Sequence, residues 1–172
     1  STGALTLNLT DVDAAVTLGA TLTALTINTS GEASTGAIAA AGAKTVTINA
    51  EAALSGASTF TAATLIDVNG TAAVNLTGAI TNAATLKTID ASGNSGGVTA
   101  VLGATNSVAF TGGAGNDALT LATAGIAATA NIDMGAGNDT LTIGAGTLAS
   151  NILGTIKGGD GTDTLAMGFA DA

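Results

Sequence analysis

The segment Thr45–Ala50, TVTINA, alternates apolar and polar side chains, so Val46 and Ile48 fall on one face and Thr47 and Asn49 on the other. Its β-branched residues suit a short, half-buried strand. The same pattern returns upstream as ALTLNLT (4–10) and LTINTS (25–30), and downstream as VTAVL (98–102), ALTLA (118–122) and TLTIG (140–144). Aligned on a central apolar residue, Leu7, Ile27, Ile48, Val68, Ile89, Phe110, Ile132 and Ile156 stand 20, 21, 20, 21, 21, 22 and 24 residues apart. Two positions before each centre the residue is apolar in Leu5, Leu25, Val46, Ile66, Val108 and Ala130, with Lys87 and Gly154 as exceptions. A second strand follows, marked by Val16 and Leu18, Val98 and Ala100, Leu119 and Leu121, Leu141 and Ile143, and Leu165 and Met167; the middle repeats are less regular, with Ile38 alone and Phe60 and Val74 displaced.

A period of 20–24 residues with two short strands is too short for a strand–helix–strand unit, which takes about 30 residues or more. It matches one turn of a parallel β-solenoid, whose coils bury their apolar faces only against their neighbours. The expected fold is therefore all-β, a single right-handed parallel β-solenoid of about eight coils. In this one continuous domain, residues 1–109 form Thr/Ala-rich coils and residues 110–172 form coils with glycine loops. Residue 5 is already a strand position and residue 172 closely follows the last motif, so the chain reads as an excerpt of a longer molecule.

Composition narrows the function. With 2% aromatic residues and no Cys, Pro, His, Trp or Tyr, the core must be built from Ala, Val, Leu, Ile and the methyl of Thr. Because 47% of residues are apolar and 9% charged, the chain lacks the signature of disorder. Three lysines against twelve acids leave a net charge of -9, which offers no basic surface for nucleic acid and suits cations. No segment approaches the about 20 apolar residues of a membrane helix, and residues 1–20 lack the basic start and apolar run of a secretory signal, so either the chain is cytosolic or its export signal lies outside this fragment. Without His, Cys, Tyr or Arg no constellation for catalysis stands out, and the chain reads as a non-enzyme.

Three coils carry a glycine loop directly after the first strand: Gly112–Asp117, Met134–Asp139 and Gly158–Asp163. Coils stacked in register bring Asp117, Asp139 and Asp163 above one another, about 5 Å apart, where like charges repel by about 1 kcal/mol per pair in water and more at lower dielectric. Calcium is the cation that fits best, since it takes six to eight oxygens in flexible geometry; zinc would want the missing His or Cys. Good turn formation by Gly, Asn and Asp is the plainer alternative.

These loops resemble the RTX calcium-binding repeats, GGxGxDxUx with U a large apolar residue. GGAGNDALT (112–120) and GGDGTDTLA (158–166) match fully; MGAGNDTLT (134–142) departs at Met134, which bears on the backbone shape there and not on the carboxylate. The resemblance implies that Asp117, Asp139 and Asp163 bridge calcium ions between successive loops. Loop oxygens would complete the shell at Gly112, Ala114 and Asn116, at Met134, Ala136 and Asn138, and at Gly158, Asp160 and Thr162. RTX repeats in tandem recur every nine residues, whereas these recur every 22 and 24, so ions would line one edge, in two complete sites.

Thr/Ala-rich coils leading into separated RTX loops also resemble the Caulobacter type of bacterial surface-layer (S-layer) protein. That resemblance implies type I secretion with an uncleaved carboxy-terminal signal, calcium-triggered folding outside the cell, and assembly with other copies into a two-dimensional lattice on the cell surface. Cell-surface polysaccharide would be bound through regions outside this fragment. The alternatives are a repeat segment of a type I-secreted RTX adhesin, the RTX tail of a secreted hydrolase, and an ice-binding solenoid. The last is suggested by the polar pairs Thr6/Asn8, Thr26/Asn28, Thr47/Asn49, Asp67/Asn69 and Thr88/Asp90, although Asp67, Asp90, Asp133 and Lys157 interrupt them with charge.

Overall fold

The structure is a computed structural model that describes residues 3–78, 85–102, 108–121, 131–144 and 154–168. Its described elements are all strands, and every pairing is parallel. One sheet stacks eight strands in chain order: β1 (Gly3–Thr10), β3 (Leu22–Ser30), β5 (Thr45–Ala50), β6 (Leu65–Gly70), β8 (Thr88–Asn94), β10 (Ala109–Thr111), β12 (Ile132–Asp133) and β14 (Ile156–Lys157). A second stacks five: β7 (Val74–Leu76), β9 (Val98–Leu102), β11 (Ala118–Leu121), β13 (Thr140–Ile143) and β15 (Thr164–Met167); β2 (Val16–Thr17) and β4 (Ile38–Ala39) form a third. This is the expected β-solenoid. Eight rungs on one face enclose fewer closed turns than rungs, about six, which corrects the eight coils expected.

Alternation makes the strands and the core together. In β5 every second side chain is buried, and Val46, Ile48 and Ala50 have no exposed surface. The inward column Leu25, Val46, Ile66, Ile89, Phe110 and Ile132 is at most 1% exposed throughout. Each such side chain contributes about 1.5–3 kcal/mol by leaving water. Alanines at 40, 43, 50 and 63 fill other inward positions, and buried Phe60 lies level with Ala40 of the preceding rung.

The register departs from the sequence alignment in one place on the first sheet. Leu7, Ile27, Ile48 and Val68 are level as expected, but Ile89 pairs with Ile66 and not with Val68. From there the column continues through Phe110, Ile132 and Ile156. Lys87 and Gly154 therefore precede the strand position that the alignment gave them; Ala130 lies outside the described residues. A two-residue slip keeps every inward side chain inward, so alternation cannot detect it. Immediately after the slip, Asp67 pairs with Asp90 but Asn69 with Gly93, an extra residue that makes a β-bulge at Ser92.

The second face also differs. Val16 pairs with Ile38 in the separate small sheet, while the column through Val98 runs by Val74 and Leu54 to Ser34. Leu119 is level with Ala100 and Leu121 with Leu102, which sets Val98 beside Asp117. On the polar outer face Asn28 donates to Asn8 Oδ1 at 2.7 Å and Asn49 to Asn28 Oδ1 at 2.8 Å. Asp90, not Thr88, continues the threonine column beyond Asp67, so the charged residues Asp67, Asp90, Asp133 and Lys157 share one line with Thr111.

Candidate metal centre

The pairings Ala118–Thr140 and Thr140–Thr164 hold the three glycine loops in register, and Asp117, Asp139 and Asp163 stand one per rung at the same corner. The loops fit only because they lack side chains where rungs meet. A Cβ on Gly159, where φ is +102°, would lie 1.7 Å from the Gly135 carbonyl oxygen. That oxygen accepts the Asp160 N–H at 2.9 Å, and Gly113 O accepts the Ala136 N–H at 2.7 Å, so the backbone ladder continues round the corner.

Asp117 and Asp139 point inward and are 2% and 1% exposed. Each aspartate reaches back one rung and accepts a backbone N–H: Asp117 Oδ1 from Val98 at 2.6 Å, Asp139 Oδ1 from Asp117 at 2.8 Å, and Asp163 Oδ1 from Asp139 at 3.1 Å. Asp117 Oδ2 accepts a further N–H, from Gly113 at 3.0 Å. Burial pushes the carboxyls of Asp117 and Asp139 above the ordinary carboxylate value. The N–H donors oppose that rise, while the neighbouring carboxylate, Asp139 for Asp117 and Asp163 for Asp139, adds to it.

The second loop breaks the pattern at Met134. Met134 is buried level with Gly112 and Gly158, and the Gly135 N–H turns to Asp133 Oδ1 at 3.3 Å. Asp139 Oδ2 is left buried with no hydrogen-bond donor. A cavity of 270 Å³ opens at the same corner, lined by the apolar side chains of Met134, Leu141, Ile156 and Leu165 together with Asp139, Lys157, Gly158, Asp163 and Thr164, and Asp139 Oδ2 itself is shielded from it. Lys157 also forms an ion pair with Asp133 Oδ2 at 3.2 Å on the outer face.

Of the residues expected to surround cations, the structure gathers Met134, Asp139, Gly158 and Asp163 round this cavity. Gly112 is packed instead against Asp117 Oδ2 and the Met134 carbonyl. Ala114, Asn116, Ala136, Asn138, Asp160 and Thr162 do not line it. Asn116 Oδ1 accepts the Asn138 N–H at 2.8 Å and Asn138 Oδ1 the Thr162 N–H at 2.9 Å, a ladder along the outer side of the corner. Among the described residues no three His, Cys, Asp or Glu side chains surround one point. The carboxylates of Asp139 and Asp163 on adjacent rungs are the hard-cation donors at this corner, but Met134, Leu141, Ile156, Leu165 and Lys157 supply most of the remaining lining, so a calcium ion there would draw its further oxygens from backbone carbonyls and water.

A residue not singled out in the sequence completes the corner. Asn94, 2% exposed, donates to Ala72 O at 3.0 Å and accepts the Gly96 and Gly97 N–H groups at 3.0 and 2.8 Å. Its Asn-Ser-Gly-Gly context is that of an Asx turn and was its only visible signal. No family model matches the chain, and neither a curated protein nor a solved structure matches it.

Proposed function

We propose that the chain is a structural segment of a calcium-dependent bacterial surface layer, secreted and then stiffened outside the cell as its aspartate corner acquires calcium. The observation that carries the calcium reading is the bare, buried Asp139 oxygen next to Asp163. The surface-layer reading is supported by the resemblance of the Thr/Ala-rich coils and glycine loops, joined in one rod with a polar outer face. Bound calcium would supply the positive charge that the stacked carboxylates lack. Asp139 and Asp163 would hold it, and the backbone N–H groups they accept would keep both carboxylates pointed at the corner. When these groups are not neutralised, burial and mutual repulsion loosen the last rungs, so that the chain would remain pliable where free calcium is scarce.

Extracellular calcium modules bind with constants of about 0.1–1 mM. Calcium at tenfold over such a constant adds about 1.4 kcal/mol to the folded state, or about 3–6 °C in melting temperature for a domain of this size. Circular dichroism melts across a calcium titration test the linkage, and electron microscopy of the same samples tests for ordered two-dimensional sheets. A melt indifferent to calcium refutes the proposal. A responsive melt with separate rods and no sheets favours the RTX adhesin segment.

A further inference from the structure

We infer that copies of this chain associate side by side, with their rods parallel, through the two long edges of the eight-stranded sheet: the lysine edge of one copy against the acidic edge of the next. This rests on the surface-layer reading above, in which copies meet in a lattice, and names the surfaces by which they meet; it does not depend on calcium. Lys44 directly precedes β5 and Lys87 directly precedes β8, while Asp11 directly follows β1, Glu51 directly follows β5 and Glu32 lies two residues beyond the end of β3. Because the strands all run the same way, these cations stand at their entering ends and these anions at their leaving ends, about 20 Å away across β5. All five residues are exposed.

The spacings along the two edges match. Lys44 O accepts the Thr64 N–H at 2.8 Å and Thr64 O accepts the Lys87 N–H at 3.0 Å, so the lysines share a column with one rung between them, about 10 Å apart. Asp11, Glu32 and Glu51 follow three successive rungs, so Asp11 and Glu51 also have one rung between them. A neighbour displaced by two rungs along the axis sets its Asp11 level with Lys44, its Glu32 with Thr64 and its Glu51 with Lys87. Within the chain these charges are left over. Lys157 has Asp133 at 3.2 Å, but among the described residues Lys44 and Lys87 meet no carboxylate, Asp11 and Glu32 side chains accept no hydrogen bond, and Glu51 accepts only that of Thr71 at 3.3 Å. The neighbour's own lysine edge stays free, so the contact is heterologous and extends a row without closing it.

Exposed ion pairs are individually weak, so two copies part readily and a row is held by many joints. With a net charge of -9 the copies also repel at a distance, over about 30 Å at 0.01 M salt, about 10 Å at 0.1 M and about 3 Å at 1 M. Association should therefore peak near 0.1 M, where distant acids are screened and pairs in contact are not.

Sedimentation equilibrium of the whole chain, concentrated and free of calcium, should show an average mass above that of one chain at about 0.1 M salt and a single chain at about 1 M. Lys44→Glu with Lys87→Glu makes both edges acidic, and Glu32→Lys with Glu51→Lys makes both largely basic; each pair should weaken association by about tenfold or more while the melting temperature stays that of the parent. An equal mixture of the two variants should associate again, since each supplies the edge that the other lacks. Undiminished self-association of either variant, or a mixture that stays monomeric, would overturn the inference. A parent chain that is monomeric at every salt concentration would overturn it too and leave the lattice reading standing, provided that calcium yields ordered sheets in electron microscopy; rows that form and are broken by the variants, with no sheets in calcium, would uphold the edges and remove the lattice.

Discussion

Replacing Asp117 by alanine tests whether the aspartate corner is a structural cap. The substitution removes the acceptor of two buried N–H groups, Val98 at 2.6 Å and Gly113 at 3.0 Å. Hydrogen bonds to a charged acceptor contribute about 1.5–3 kcal/mol each, and both donors would be left without partners. The variant also relieves the burial of a carboxylate beside Asp139, the interaction that pushes Asp117 upward, and this offsets part of the loss. The net effect expected is about 2–4 kcal/mol, or about 5–15 °C in melting temperature for a chain of this length. Because rungs touch only their neighbours, the damage should centre on the rungs carrying Val98 and Asp117. Calcium-free thermal melts give the total, and amide exchange at Val98 and Gly113 should accelerate by about tenfold or more, the equivalent of 1.4 kcal/mol. Asp117→Asn, which retains one acceptor oxygen, should fall between. A melting temperature within about 2 °C of the parent, with both amides still protected, would refute the reasoning.

The raised carboxyls predict an unusual pH profile. A group whose folded value exceeds its unfolded one contributes stability that is complete below the unfolded value, 3.8 here, and lost as pH rises through the folded value. Calcium-free protein should therefore melt higher near pH 4 than at pH 7, and calcium should reverse that order; a calcium-free melting temperature that rises with pH would contradict it. Phe60→Ala empties a fully buried position beside small Ala40 and Ala63 and should cost about 3–5 kcal/mol in urea denaturation, with exchange protection lost near β5 and β6 but kept in β13.

Alternation and repeat spacing made the solenoid legible, because Leu7, Ile27, Ile48 and Val68 face inward whatever the corners do. What stayed hidden was register. A strand moved by two residues presents the same face, so Ile89 served as well opposite Val68 as opposite Ile66, and Lys87 and Gly154 at apolar positions were the marks of the error. Corner conformation misled on the second face, where counting residues from the centre put Val16 with Val98 although their coils turn at different points. At the site, recurrence of the motif located the aspartates in one column. Their hydrogen bonds were not legible, since the donors to each Oδ1 belong to the preceding rung, and neither was the bare Asp139 oxygen, left when the Gly135 N–H turns to Asp133.

The extra residue in β8 joins two kinds of coil. Ahead of it the rod shows a regular Thr/Asn surface; beyond it, Asn94 faces inward and the glycine corners begin. Such an adapter allows each half to change by duplicating its own unit, since a copied coil meets the same neighbour as the original. The joint itself tolerates no such copying: a second bulge would turn Asn94 outward and strip the Gly96 and Gly97 amides of their acceptor. Lengthening of this rod is thus permitted on either side of residue 92 and forbidden at it.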